Sequence, residues 1–120
     1  MNSHAVSVLL KHYVTGFQDG CINPRSNWKI IRETPTTANI DSDQGLGIMA
    51  TLEAMDIAIN KTTKVGVGMV TVGNARYLGM AAYHAMKALD RDMIGVFMTS
   101  TRGAVPANNE LPFVFDAATR

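Results

Sequence analysis

Arg76 and Tyr77 stand side by side in the chain, and together they are the residue types that bind and protonate a small acid. An arginine can grip a carboxylate through two parallel hydrogen bonds, and a phenol beside that positive charge can act as an acid. The pair suits a small oxo or hydroxy acid. It equally suits a surface cation next to a half-buried ring, so the elements around it have to decide.

Those elements lie between Val65 and Ala82. A β-branched run (Val67, Val70, Thr71, Val72) ends at Gly73, the triplet Asn74-Ala75-Arg76 leads into Tyr77, and a small-residue helix opens near Gly79. The pattern predicts a strand, a turn and a helix. In α/β sheets the chain turns at the carboxyl end of a strand and leaves backbone N–H groups and side chains facing a crevice, where ligands bind.

Before this stretch, Val6, Leu9, Leu10, Tyr13, Val14 and Phe17 recur every three or four residues, so an amphipathic helix is expected from Ser3 to Gln18. Asn2 or Ser3 can cap it, and Gly20 can end it in a left-handed conformation. Cys21 to Asn27 is a loop around Asn23-Pro24. Trp28 to Glu33 and Thr37 to Asp41 read as two strands of a hairpin, and Ser42-Asp43-Gln44-Gly45 is turn chemistry. From Leu46 to Lys64, Ile48, Leu52, Met55 and Ile59 describe a long helix, with Lys61 and Lys64 favoured near its end by the dipole and Gly66 terminating it. Gly79 to Leu89 predicts a helix, Asp90 to Asp92 a turn, and Met93 to Met98 a buried strand, so that Val65 to Met98 reads as a strand–helix–strand unit. Phe113-Val114-Phe115 is a last short strand, followed by Asp116-Ala117-Ala118.

The 120 residues fit one domain, with 47% hydrophobic content to build a modest core. Cys21 is the single cysteine, in keeping with a reducing, cytoplasmic setting. A net charge of +1, with acids and bases interspersed, gives no basic face for nucleic acid. No apolar run reaches the ~18 residues of a membrane helix, so no membrane partner is expected.

Several motifs compete with the Arg76–Tyr77 reading. Gly45-Leu46-Gly47-Ile48-Met49-Ala50 has the Gly-x-Gly-x-x-Ala form of the dinucleotide fingerprint, but the next strand ends in Gly73-Asn74 instead of the acid that would hold a ribose. The same glycines serve as a turn and helix entry. One cysteine and three scattered histidines lack metal-ligand spacing, and no metal is expected. His12 reads as a helix-surface residue and His84 as a packing or surface residue, while His4 falls in the first helical turn as a solvated or end-capping imidazole.

The series Cys21-Ile22-Asn23-Pro24, Ile40 to Gly47, Ala54 to Ile59, Val65 to Val72, Asn74 to Tyr83 and Phe113 to Thr119 resembles, in order, the malate/L-lactate dehydrogenase family of the non-Rossmann type, which includes sulfolactate and ureidoglycolate dehydrogenases. The resemblance implies an α/β (α+β) fold with a mixed, largely antiparallel sheet and flanking helices. It implies an oxidoreductase that moves a hydride between NAD or NADP and a small 2-hydroxy or 2-oxo acid, and a homodimer. The family's acid–base histidine, after its Asn-x-x segment, falls on Tyr77 here. Ser3-His4-Ala5 is similar to the family's Ser-His-Gly motif, which places His4 as an orienting group, but Val8 or Leu9 stands where the family has an arginine. Asp116, Ala117 and Ala118 match the first three residues of a segment that lies along the cofactor. The resemblance therefore gives Tyr77, Arg76 and His4 catalytic places and Asp116, Ala117 and Ala118 cofactor contacts. It covers well under half of a usual family member. The alternative expectation is a non-catalytic remnant serving as an oligomerisation or interaction module.

Overall fold

The computed structural model describes residues 6–100 and 113–118. They group into two compact units, Met1–Gly79 and Met80–Arg120.

In the first unit, helix α1 (Val6–Gln18) is followed by strands β1 (Lys29–Glu33) and β2 (Thr37–Asp41), helix α2 (Gly47–Val65) and strand β3 (Met69–Gly73). The sheet order is β1-β2-β3. β1 and β2 are the expected antiparallel hairpin, closed by Thr34 N–H donating to Thr37 C=O at 2.9 Å and by the paired hydroxyls of Thr34 and Thr37. β2 and β3 run parallel in unbroken register from Thr37↔Met69 to Asp41↔Gly73, as a helical crossover requires. The sheet is therefore mixed.

α2 covers β2 and β3 with a face made largely of small residues. The residues it buries are Gly47, Ala50, Thr51, Ala54, Ile59 and Lys61, whereas Ile48, Leu52 and Met55 are only half-buried. Small side chains let the helix lie close to Ala38 and Ile40, the buried pair of the central strand. Burying Ile40 completely contributes about 1.5–3 kcal/mol. Gly68 takes this closeness furthest, because a Cβ there would strike the Ala58 carbonyl. Gly66 ends α2 as expected, at φ 85° with its N–H donating to Thr62 C=O.

Lys61 corrects the sequence reading. It is not a solvated end charge: the residue is 8% exposed, and its Nζ donates to Glu33 Oε1 at 2.8 Å and to Thr34 C=O at 2.7 Å. A nearly buried ammonium persists only where it is paired, so this contact fastens the hairpin turn to the last turns of α2.

α1 shows a second difference. Gly20 leaves it at φ 71° as predicted, but Leu10, Val14 and Phe17 of its apolar stripe are exposed and Tyr13 is half-buried.

The second unit holds a short helix α3 (Ala81–Met86), a 3-10 turn at Leu89–Arg91, and strands β4 (Gly95–Ser100) and β5 (Phe113–Ala118), which pair antiparallel. The helix expected from Gly79 to Leu89 is thus shorter and continues as the 3-10 turn. Ala81, His84, Ala85 and Ala88 are buried, and Gly95 lets β4 pass directly over the Ala85 carbonyl. The strand–helix–strand unit is present in sequence order, but β4 belongs with β5 and not with β3. Nor is β4 buried throughout: Ile94, just before it, is 72% exposed, and Val96 and Met98 also face outward. Period-2 exposure of this kind means that a single face of the strand is packed.

Among the described residues no helix is long and apolar enough to cross a membrane.

Candidate active site

β2 and β3 end level with one another, at Asp41 and Gly73, and both chains turn there. The two turns are laced together by backbone hydrogen bonds: Ser42 N–H to Gly73 C=O at 3.0 Å, Gln44 N–H to Asn74 C=O at 2.9 Å and Arg76 N–H to Gly45 C=O at 3.0 Å. Asp43 (φ 52°), Gln44 (φ 57°) and Asn74 (φ 53°) all occupy the left-handed region, which costs a non-glycine residue free energy and collects at functional sites.

Two carboxylates brace the knot. Asp43 Oδ2 accepts from Asn23 Nδ2 at 2.9 Å and from the Asn27 N–H at 3.1 Å, which brings the Cys21–Asn27 loop onto it. Asp41 Oδ1 accepts from the Asp43 N–H at 2.9 Å and from Asn74 Nδ2 at 3.1 Å. The Asp43 N–H, then the Asn74 amide, hold the Asp41 carboxyl below the usual carboxylate range, with a smaller contribution from Lys29. A lowered carboxyl stabilises the fold above its unfolded pKa, near 4, and that contribution is lost as pH falls through the folded value. Asn74→Ala should therefore raise the Asp41 titration, followed by carboxyl-carbon NMR. An unchanged midpoint would show that the Asn74 amide does not hold the carboxylate in solution.

Arg76 and Tyr77 follow from this knot, at the strand end where they were expected. Their backbone lies on the first turn of α2: a Cβ on Gly47 would strike the Arg76 carbonyl oxygen and come within 3.1 Å of the Tyr77 carbonyl oxygen and the Leu78 Cα. A Cβ on Gly45 would likewise strike the Ser26 hydroxyl and come within 3.0 Å of the Ser42 carbonyl oxygen. Both fingerprint glycines therefore have a packing reason to be glycine. Ser42 is buried, and its Oγ has no partner among the described residues.

Arg76 is exposed, and its Nε donates to the Cys21 carbonyl at 2.6 Å. That bond fixes the plane of the guanidinium, and among the described residues its Nη groups make no ion pair. Such an arginine is presented for bidentate contact with an incoming carboxylate. Tyr77 is half-buried, with its ring centroid 6.0 Å from that of Tyr13 on α1 and the planes tilted by 54°.

The other candidates lie elsewhere. His4 is outside the described residues. Asp116, Ala117 and Ala118 are within β5 of the second unit, not beyond its end, in register with Phe97, Val96 and Gly95. His84 packs in that unit, stacked on Phe97 at 5.0 Å with its edge to Tyr83. A hollow of about 410 Å³ at the other end of α2, lined by Glu33, Thr34, Pro35, Lys61, Lys64 and Val65, shares no residue with the Arg76–Tyr77 turn. At the turn a guanidinium without an ion pair among the described residues adjoins a phenol.

The sequence reading missed Asp41, Asp43, Asn74 and Tyr13 as parts of this site. Asp41 was legible as a strand end, Asp43 as a turn former and Tyr13 as a member of an apolar stripe.

Comparison with known proteins agrees with this architecture. The family model described as malate/L-lactate dehydrogenase matches residues 1–110, and the chain belongs to that family. L-sulfolactate dehydrogenase of Methanocaldococcus jannaschii is 44% identical over 93 residues, 78% of this chain and 27% of that protein. Malate dehydrogenase of Pyrococcus abyssi is 43% identical over 105 residues, 88% of this chain and 29% of that protein. The solved structure of the M. jannaschii sulfolactate dehydrogenase superposes with a TM-score of 0.90 at 36% identity, covering 98% of this chain and 36% of that one. The chain thus spans about a third or less of the length of these relatives. The mixed α/β fold with flanking helices is that of these dehydrogenases, as the resemblance implied.

Proposed function

We propose that this chain takes part in hydride transfer between NAD or NADP and a small 2-hydroxy acid such as malate or sulfolactate, with its proton-handling site at the Arg76–Tyr77 turn. The observation that carries this reading is the placement of an unpaired guanidinium and a phenol in succession, on a hydrogen-bonded knot at the carboxyl ends of two parallel strands. A nicotinamide, when bound, supplies the hydride for C2 of the oxo acid. The Tyr77 phenol gives its proton to the oxygen at C2 as the C–O double bond becomes single, and Arg76 holds the substrate carboxylate and favours the phenolate left behind. His4 is the orienting group. Asp116, Ala117 and Ala118 are the cofactor contacts, as the family resemblance implies. A homodimer in the cytoplasm completes the proposal.

The test is reduction of oxaloacetate and of sulfopyruvate by the purified chain, with NADH and with NADPH, read as loss of nicotinamide absorbance. Consumption that depends on the oxo acid is expected, and Tyr77→Phe should abolish it while leaving the cofactor's fluorescence change on binding intact. No fluorescence change at millimolar NADH or NADPH would overturn the proposal.

A further inference from the structure

Tyr13 belongs to the apolar stripe of α1, and it is half-buried while Leu10, Val14 and Phe17 stay exposed. Its ring meets that of Tyr77, 64 positions further along, at a 6.0 Å centroid separation and a 54° tilt, inside the range of attractive, tilted aromatic pairs. The contact has independent support. The Ile22 N–H donates to the Gly16 carbonyl at 2.9 Å and folds the loop after α1 back along the helix, and the next carbonyl upstream, that of Cys21, receives Arg76 Nε. The end of α1 and the turn that carries Tyr77 are therefore joined twice, once by rings and once by a guanidinium.

We propose that Tyr13 is a positioning residue, whose ring fixes the Tyr77 phenol in the orientation needed for proton transfer. The proposal rests on Tyr77 being the proton donor. Partial burial of the Tyr13 phenol, and then the proximity of Tyr77, push its ionisation above the usual range. A raised phenol is neutral over the whole working pH range, so Tyr77 faces a ring that carries no charge of its own.

Two measurements test the assignment. In the first, Tyr13→Leu removes the ring and should lower kcat for oxo-acid reduction by about tenfold or more, with KM unchanged, whereas Tyr13→Phe keeps the ring and should restore kcat. A purely structural role predicts that kcat follows thermal stability in both variants, and that result would overturn the proposal. The second needs no turnover. Tyrosinate absorbance is titrated in the parent chain and in Tyr77→Phe, with Tyr13→Phe identifying the Tyr13 wave. Because the proximity of Tyr77 helps to raise the Tyr13 phenol, removal of the Tyr77 hydroxyl should move the Tyr13 wave to lower pH. An unmoved wave in a chain that turns over overturns the positioning role alone. A moved wave in a chain that reduces no oxo acid overturns the donor reading, and the positioning role with it.

Discussion

Tyr77→His should raise oxo-acid reduction near pH 7, and the gain should be the largest that any single substitution in this chain produces. A positioned acid–base group contributes roughly a hundred- to ten-thousand-fold, and does so best when its pKa is close to the working pH. Imidazole ordinarily titrates near 6.5 and a phenol near 10, so the histidine that the family resemblance places here is the better matched group at about pH 7. The turn has the geometry to accept it. Position 77 is half-buried, its backbone is held on Gly47, and the neighbouring Arg76 is fixed by the Cys21 carbonyl. A gain of about a hundredfold is expected, together with a reduction rate that falls as pH rises past neutrality and the imidazole loses its proton, instead of holding into the alkaline range where a phenol keeps its own. The measurement is the pH dependence of kcat for parent and variant. A variant that folds, binds the cofactor and reduces no faster would mean that the group at position 77 does not handle the proton.

Gly47→Val should cost both fold and site. In an unencumbered helix, replacing glycine by a residue with a side chain reduces backbone entropy in the unfolded chain and is tolerated or stabilising. Here the added carbons have no room, because the nearest atoms are the backbone of residues 76–78, not the flexible end of a side chain. Either α2 moves off the sheet or the turn moves off α2. Overpacking of this kind costs about 1–3 kcal/mol, and the turn is the lighter of the two bodies. We expect a loss of that size in urea denaturation, and backbone amide shifts concentrated at residues 76–79. The dinucleotide-fingerprint reading predicts the opposite pairing, an undiminished stability with cofactor binding abolished. That result would return Gly45 and Gly47 to a phosphate-binding role.

What could be read from the sequence follows from short-range physics. The hairpin, the long helix with its Gly66 end, the strand that stops at Gly73 and the turn holding Arg76 and Tyr77 are each set by side-chain periodicity or by a glycine's access to positive φ, both properties of a few neighbouring residues. The family was legible for a related reason: the matching segments follow one another in order along the chain. The turn after β3 was legible as well, because where a strand stops is a local feature.

The tertiary structure decided everything that joins distant positions. Lys61 and Glu33 are 28 residues apart, and only their meeting gives a lysine expected near the helix end a paired, nearly buried ammonium. Arg76 and Cys21 are 55 apart, and their bond takes up the guanidinium Nε. Gly47 could be read as a fingerprint glycine or as a helix entry, and the backbone of residues 76–78 lying on it supplies the packing reason. β4 looked buried because its apolar run has no alternation, and its pairing with β5 leaves one face outward. Such contacts depend on which surfaces α2 and the strand order bring together, a choice made by burial over the whole unit. No window of sequence carries it.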